Sequence, residues 1–524
     1  MSGKRKVLMM GNEAVARGLT EAGCSFVSSY PGTPSTEITE FAAKTVYAEW
    51  APNEKVAVEA ALGASLAGAR SFSGMKHVGV NVAADPLFTA AYTGINGGVV
   101  IAVADDPGCH SSQNEQDSRH YAEAMKLPML EPSDSQECLD FTKTAFTLSE
   151  RFDTPVLLRL TTRISHSRSA VTVGEIERPV LREYQKNPGK NVMVPAAARV
   201  RHAALEERLA SLGDFCEESG LNRIEWGTER KIGVVASGIS YQTAREALGD
   251  SASYLKLGMV FPLPVLPLRE LAEAVDELWV IEELDDFIET HCKKHGLKVW
   301  GKADLTPLGE YTVPILRQAV LGETAEESPQ SELLLNNVPP RPPVLCPGCP
   351  HWGTFGVIKK LNLTVMGDIG CYTLGASPPL SSMDFCVCMG ASVSSLHGFL
   401  KVRPDRADKA VAVIGDSTFM HSGLTGLMNI VYNQTPATVL ILDNAITGMT
   451  GHQQNPGTGL TLMGQSAPVL DLEAVCRSLG VKRVVTADPR DPAALEAALK
   501  EELAASEPSV VVVRRPCALL EGSI

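Results

Sequence analysis

The sequence predicts an α/β fold of layered, mostly parallel sheets, on three observations. Strand-length apolar runs alternate with helix-length segments, the rhythm of βαβ units. The chain has 524 residues, more than one hydrophobic core holds and suited to about three domains. Glycine reaches 44 residues while aromatics make up only 6%, a balance that lets helices pack closely on strands.

Residues 1–175 read as the first unit. Val7–Met10 is an expected strand, a helix runs from Gly11 to Ala22, and Cys24–Ser28 is a second strand. The turn Pro31-Gly32-Thr33-Pro34-Ser35 follows. Ser35 is placed to cap the next helix, and Glu37 and Glu40 favour the positive end of its dipole. Further strands are expected at Gly79–Val82, Val99–Ala104 and Pro155–Arg159. Residues 176–229 are charged and read as a connector with a helix at Ala196–Leu212. Residues 230–322 form a second α/β unit, with strands at Lys231–Ala236, Tyr254–Leu257 and Leu278–Glu282. Residues 323–343, rich in Glu, Ser and Pro, read as a linker. The third unit, 344–524, carries strands at Ala410–Ile414, Thr438–Leu442 and Ser509–Val513.

The net charge of -14, with no basic run, argues against a nucleic-acid partner. No apolar run approaches a membrane span, and the N-terminus lacks the pattern of a signal peptide, so a cytoplasmic protein is expected. Twelve cysteines are too sparse for a disulfide scaffold at this size, and a close-spaced subset becomes a candidate metal or cluster site.

The strand Ala410–Ile414 ends in Gly415-Asp416-Ser417, where open α/β sheets bind ligands. Gly415 admits a phosphate close to the backbone, Asp416 offers Mg²⁺ a hard oxygen, and Ser417 adds a hydroxyl. Asn444, 28 residues after Asp416, follows the next strand and supplies a neutral oxygen. The Ile446 carbonyl offers a third metal ligand, and Thr447 and Gly448 extend the same turn. Taken alone, Gly-Asp at a strand end is an ordinary turn with a helix cap. The Asn at this spacing makes it resemble the Gly-Asp-Gly…Asn motif that anchors thiamine diphosphate through Mg²⁺. Ser417 replaces the usual third glycine and removes no metal ligand.

Thiamine diphosphate needs a carboxyl group, from another α/β domain, to drive its aminopyrimidine into the imino tautomer. Glu59, near the start of the Ala/Gly-rich segment Val56–Ser65, is the candidate, and a desolvated site with a raised pKa is expected for it. The plainer reading is a helix-start carboxylate on the dipole.

Cys346 and Cys349 form a CxxC pair, Cys371 lies 22 residues beyond, and Cys517 ends the last strand. Four thiolates hold either a 4Fe-4S cluster or Zn²⁺, and spacing alone does not choose between them. Cys386, Cys388 and His351 are rival ligands, while Cys24, Cys109, Cys138, Cys216, Cys292 and Cys476 are expected to be buried thiols.

Together with Tyr30–Ser35, Met75–Asn81 and His110–Asp117, these motifs resemble the α subunit of indolepyruvate:ferredoxin oxidoreductase, within the 2-oxoacid:ferredoxin oxidoreductases, over nearly the whole chain. The resemblance implies a thiamine-diphosphate-binding fold with a pyrimidine-binding domain, a transketolase C-terminal-like domain and a diphosphate-binding domain. It implies that Thr33 lies near the thiazolium and substrate, that Glu59 is the activating carboxylate, and that Cys346, Cys349, Cys371 and Cys517 hold one 4Fe-4S cluster. It further implies conversion of an arylpyruvate, coenzyme A and oxidised ferredoxin into aryl-acetyl-CoA, CO₂ and reduced ferredoxin, in a dimer of heterodimers with a smaller β subunit.

Two departures stand out. The family's α subunit usually carries a C-terminal ferredoxin-like domain, whereas this sequence ends seven residues after Cys517; a separate ferredoxin-like subunit or direct docking of ferredoxin would then take the electrons. Pyruvate-type relatives place an Arg for the substrate carboxylate where this sequence has Asp105-Asp106, which leaves Lys76, His77, His110 and Gln113 as candidates. Two further readings remain at this stage: a non-redox thiamine decarboxylase or lyase with zinc or no metal at the cysteines, and a non-enzymatic subunit that keeps the fold.

Overall fold

Apolar strands flanked by helices do build parallel sheets, in two compact units spanning Met1–Asn336 and Asn337–Ile524. The structure, a computed structural model, describes residues 5–178, 181–323, 338–339 and 341–521. Most of the expected linker, residues 324–337 and 340, lies outside the described residues.

The first unit is organised by a seven-stranded sheet of order β12-β6-β7-β5-β4-β2-β3. Its strands are β2 (Phe26–Ser29), β3 (Ala48–Trp50), β4 (Ser71–Lys76), β5 (Val99–Asp105), β6 (Met129–Leu130), β7 (Val156–Thr161) and β12 (Met259–Phe261). All pairs are parallel except β12 with β6. Every residue of β5 and β7 is buried, as an inner parallel strand covered on both faces requires. β1 (Lys6–Met10) stands outside this sheet and pairs antiparallel with β8 (Arg168–Thr172).

The strand expected at Gly79–Val82 is instead part of a helix, His77–Thr93. Its apolar run extends too far for a strand. The true strand, β4, was disguised by small polar residues; Ser71 satisfies its hydroxyl on the Ala61 carbonyl at 2.7 Å.

The expected connector and second α/β unit also divide differently. A four-stranded sheet of order β13-β10-β11-β9 contains β9 (Arg223–Glu225), from the connector, with β10 (Ile232–Ser237), β11 (Ser253–Leu257) and β13 (Glu277–Ile281). Meanwhile β12 leaves that segment to edge the seven-stranded sheet. The crossing is fixed by Asn222, whose Oδ1 accepts from the amides of Gly258 and Met259 at 2.9 and 3.0 Å.

Buried ion pairs join the two sheets within this unit. Arg119 bonds Asp117 and Glu282 and donates to the carbonyls of Glu283 and Asp285. Arg159 bonds Asp105 at 2.7 Å and Glu131 at 2.6 Å. Carboxylates outnumber guanidinium groups here, and burial pushes Glu283 up to about 7, aided by Glu310 and Glu131 and opposed by its bond from the Tyr311 amide and by Arg159.

The second unit holds a five-stranded, all-parallel sheet of order β14-β15-β16-β18-β17. The strands are β14 (Thr364–Met366), β15 (Ala410–Gly415), β16 (Thr438–Asp443), β17 (Arg483–Ala487) and β18 (Ser509–Arg514). Helices cover both faces, each over its own apolar cluster.

Candidate active site

In the first unit the expected residues gather at the carboxyl ends of β2, β4 and β5, where parallel sheets bind ligands. The loop after β2 carries Gly32, Thr33 and Pro34. Asn12, fully buried, holds it by donating to the Pro34 carbonyl at 2.7 Å and to Glu37 at 2.8 Å. Ser35 does precede the helix Thr36–Ala42, yet its hydroxyl donates to the Gly32 carbonyl at 2.8 Å and closes the turn rather than capping the helix.

Glu59 is not desolvated. Its side chain is 46% exposed and pairs with Lys55 one helical turn earlier, at 2.5 Å. The carboxylate that the same helix, Glu54–Leu66, does bury is Glu54, at 4% exposure. Glu54 opens the helix, just after the cap Asn53, and faces Gly79 of the next helix. A methyl group on Gly79 would lie 2.8 Å from Glu54 Cγ, so only glycine lets the two helices enclose this carboxylate. The sequence pattern favoured Glu59 because it sits among alanines, but the helix turns it toward solvent.

Lys76 ends β4. Its stem packs on Gly32, and its ammonium donates to the Ser111 carbonyl at 2.7 Å. Burial pushes it down, while Asp106, Glu54 and Cys109 pull it back up. His77 is buried, is pushed down chiefly by that burial, and meets the Asn114 carbonyl at 3.1 Å. It therefore fastens the loop after β5 as a neutral ring. His110 and Gln113 are both exposed, and His110 is engaged by Glu310 at 3.0 Å. Asp105 and Asp106 are structural. Asp105 accepts from Arg159 and Ser118; Asp106 accepts from Ser111, Ser112 and Thr162. Cys109 departs from expectation by being exposed, in a left-handed turn at φ 53°.

In the second unit, β15 and β16 deliver Asp416 and Asn444 side by side at their carboxyl ends. Asp416 is 4% exposed, and its Oδ2 has no partner. Burial and the neighbouring Asp443 push its carboxyl up to about 7. A buried carboxylate oxygen with no donor fits a cation ligand, since leaving it unpaired is costly. The turn beyond Asn444 is compact. Ala445 adopts φ 60°, the Ile446 amide meets Asn444 Oδ1 at 3.3 Å, and Thr447 donates to the Ser417 hydroxyl at 2.9 Å. Asn455, missed by the sequence reading, bonds both Asp416 and Thr447. A cavity of about 710 Å³ opens beside Asp416, lined in part by Asp443, Ala445, Arg514 and Pro516. After Thr418 the helix widens to π geometry over Phe419–Gly423, a bulge common at functional sites.

The four expected thiols converge. Burial pushes Cys349 up to about 11, and Cys371, Cys346 and Cys517 add to the effect. Cys371 is raised by burial and then by Cys517 and Cys346. Burial raises Cys386 to about 11 and also raises Cys388, and Asp368 adds to both; the buried His351 ring packs edge-on to Tyr372 at 5.9 Å. Among the described residues, the only three His, Cys, Asp or Glu ligand atoms within 4.8 Å of one another belong to Asp117, His120 and Asp285.

The four thiols and the strand ends carrying Asp416 and Asn444 share one frame. The Asn444 carbonyl accepts from the Cys517 amide at 3.0 Å, and Thr418, next to Ser417, donates to the Ile369 carbonyl at 2.9 Å, two residues before Cys371. A methyl on Gly448 would touch Cys371 Sγ at 3.5 Å.

Comparison with known proteins accords with this layout. Residues 17–209 match the family described as pyruvate flavodoxin/ferredoxin oxidoreductase, thiamine diP-bdg, and residues 368–513 match the thiamine pyrophosphate enzyme, C-terminal TPP binding domain. The chain is 41% identical to "Indolepyruvate oxidoreductase subunit IorA" of Archaeoglobus fulgidus over 98% of its own length and 87% of that protein. Its identity to the same-named subunit of Pyrococcus horikoshii is 40%, over 98% and 86%. The chain belongs to the indolepyruvate oxidoreductase subunits of the 2-oxoacid:ferredoxin oxidoreductase superfamily. It is a thiamine-diphosphate-dependent enzyme of 2-oxoacid oxidative decarboxylation. A solved 2-oxoglutarate:ferredoxin oxidoreductase from Magnetococcus marinus shares the fold, with a TM-score of 0.51 and 18% identity over 62% of this chain and 66% of that one. No described helix is long and apolar enough to cross a membrane.

Proposed function

We propose that this chain is the thiamine-binding subunit of an enzyme that converts aryl 2-oxoacids, of the indolepyruvate and phenylpyruvate type, with coenzyme A into aryl-acetyl-CoA and CO₂. Two electrons leave one at a time through a 4Fe-4S cluster to ferredoxin or a ferredoxin-like subunit. A smaller β subunit completes the assembly, expected as a dimer of heterodimers; both relatives compared above are themselves named as subunits.

The observation that carries the reading is the partnerless Asp416 oxygen on the same frame as four converging thiols. Asp416, Asn444 and the Ile446 carbonyl would hold Mg²⁺, and Gly415, Ser417, Thr447 and Gly448 would line the diphosphate. Bound there, thiamine diphosphate supplies the carbanion chemistry that releases CO₂. Glu54 replaces Glu59 as the carboxyl proposed to share a proton with the pyrimidine, and Thr33 borders the reacting end. Cys346, Cys349, Cys371 and Cys517 would ligate the cluster, and their mutual electrostatic influence supports a shared centre.

The test is an assay of the chain with and without its co-purified partner on indolepyruvate, phenylpyruvate and pyruvate, with coenzyme A and a viologen dye. Dye reduction with the aryl substrates by a brown sample absorbing near 400 nm is expected. A colourless, iron-free preparation with full activity would overturn the cluster, and a preference for pyruvate would overturn the aryl assignment.

A further inference from the structure

We infer that Lys76 is the cation that receives the carboxylate of the 2-oxoacid. This rests on the function proposed above and names the group that selects the substrate's one obligatory charge.

Position comes first. Lys76 is the last residue of β4, and its stem lies against Gly32, the neighbour of Thr33. It therefore stands in the strand-end cleft with the proposed thiazolium-side loop and the buried Glu54.

Electrostatics supplies the second reason. An ammonium has three donors and no acceptor, and removing it from water is costly unless an anion pairs with it. Lys76 uses one donor on a neutral partner, the Ser111 carbonyl. Asp106 and Glu54 act on it electrostatically, yet among the described residues no carboxylate comes within ion-pairing distance of it. Asp106 is occupied by Ser111, Ser112 and Thr162. Other cations of this unit are committed: Arg159 to Asp105 and Glu131, Arg119 to Asp117 and Glu282, and Arg163 and His110 to Glu310. Lys76 is thus a partly desolvated positive charge held in place by a carbonyl, with two donors left for an incoming anion.

The alternatives fit less well. His77 is buried and pushed toward its neutral form, and Gln113 is exposed and uncharged. A carboxylate meeting the half-buried Lys76 gains a charge-assisted hydrogen bond.

The experiment uses the complete complex carrying Lys76→Met or Lys76→Arg, assayed with phenylpyruvate, coenzyme A and viologen. For Lys76→Met the KM for phenylpyruvate is expected to rise at least about thirty-fold, the size of a lost hydrogen bond to a charged group. Lys76→Arg should recover part of that loss. The KM for coenzyme A, the affinity for Mg²⁺-thiamine diphosphate by titration, and the iron content should all stay within about twofold. An unchanged KM for phenylpyruvate overturns the assignment. A rise confined to the KM for coenzyme A overturns it too, because the ammonium would then serve the phosphates of that cofactor. If Lys76→Met does not fold, Lys76→Arg decides: a wild-type KM for phenylpyruvate together with a raised KM for coenzyme A rejects the inference. A wild-type complex inactive on every aryl 2-oxoacid would instead refute the underlying reading.

Discussion

Two carboxylates five positions apart on one helix differ sharply in exposure, and the proposed roles follow that difference. Glu59 is an ordinary exposed ion-pair partner, whereas Glu54 is enclosed beside Gly79. Glu54→Gln is therefore expected to lower turnover at least about a hundred-fold while thiamine diphosphate still binds, because acid–base assistance is lost and shape is kept. Glu59→Gln should keep near-wild-type turnover, and the reverse pattern in steady-state assays would return the role to Glu59. Asp416→Ala should abolish measurable Mg²⁺-thiamine diphosphate binding by titration, since the anchor loses its charged ligand. Chelating the metal from the wild type should mimic that loss reversibly, and tight binding by either preparation would count against the anchor.

The anchor is equally a property of elements. Gly390 precedes the helix Ala391–Val402 at φ 86°, and a methyl there would lie 2.5 Å from Ser422 Cβ in the π turn. Asp368 ties this start to the Cys371 loop by accepting from the amides of Ile369, Gly390 and Ser392. Gly390→Ala adds a clash to a left-handed backbone, so it should destabilise the protein by about 2 kcal/mol or more. It should also weaken cofactor binding. An unchanged unfolding midpoint with unchanged affinity would show that this junction is slack. The strands β15, β16 and β18 were legible from sequence because each is a continuous apolar run. β4 was not, because its serines look like loop residues and are satisfied only by neighbouring elements.

At the scale of the first unit, the buried network between its two sheets carries more carboxylates than guanidinium groups. Glu283 ionises in the unfolded chain near its ordinary 4.5 but near 7 when folded. Between those values the unfolded chain gives up a proton that the folded protein keeps, so folding loses stability as pH rises, and the full loss is present above about pH 7. The cost is at most about 3 kcal/mol. Glu283→Gln keeps an acceptor for the Tyr311 amide and removes the charge. It should raise the thermal unfolding midpoint at pH 8 and leave it nearly unchanged at pH 4.5. Equal shifts at both pH values would reject this account.

The sequence by itself determined the layered α/β class and pointed to Asp416, Asn444 and the four thiols, because each is a local pattern: apolar runs, a strand end, a spacing of like residues. Only tertiary structure decided which carboxylate is buried, that the connector feeds both sheets, and that Asp105 and Asp106 are spent on Arg159 and a loop. Burial and pairing depend on which distant segments cover a residue, and nothing in the spacing along a helix records that Gly79 will close over Glu54 and leave Glu59 in water.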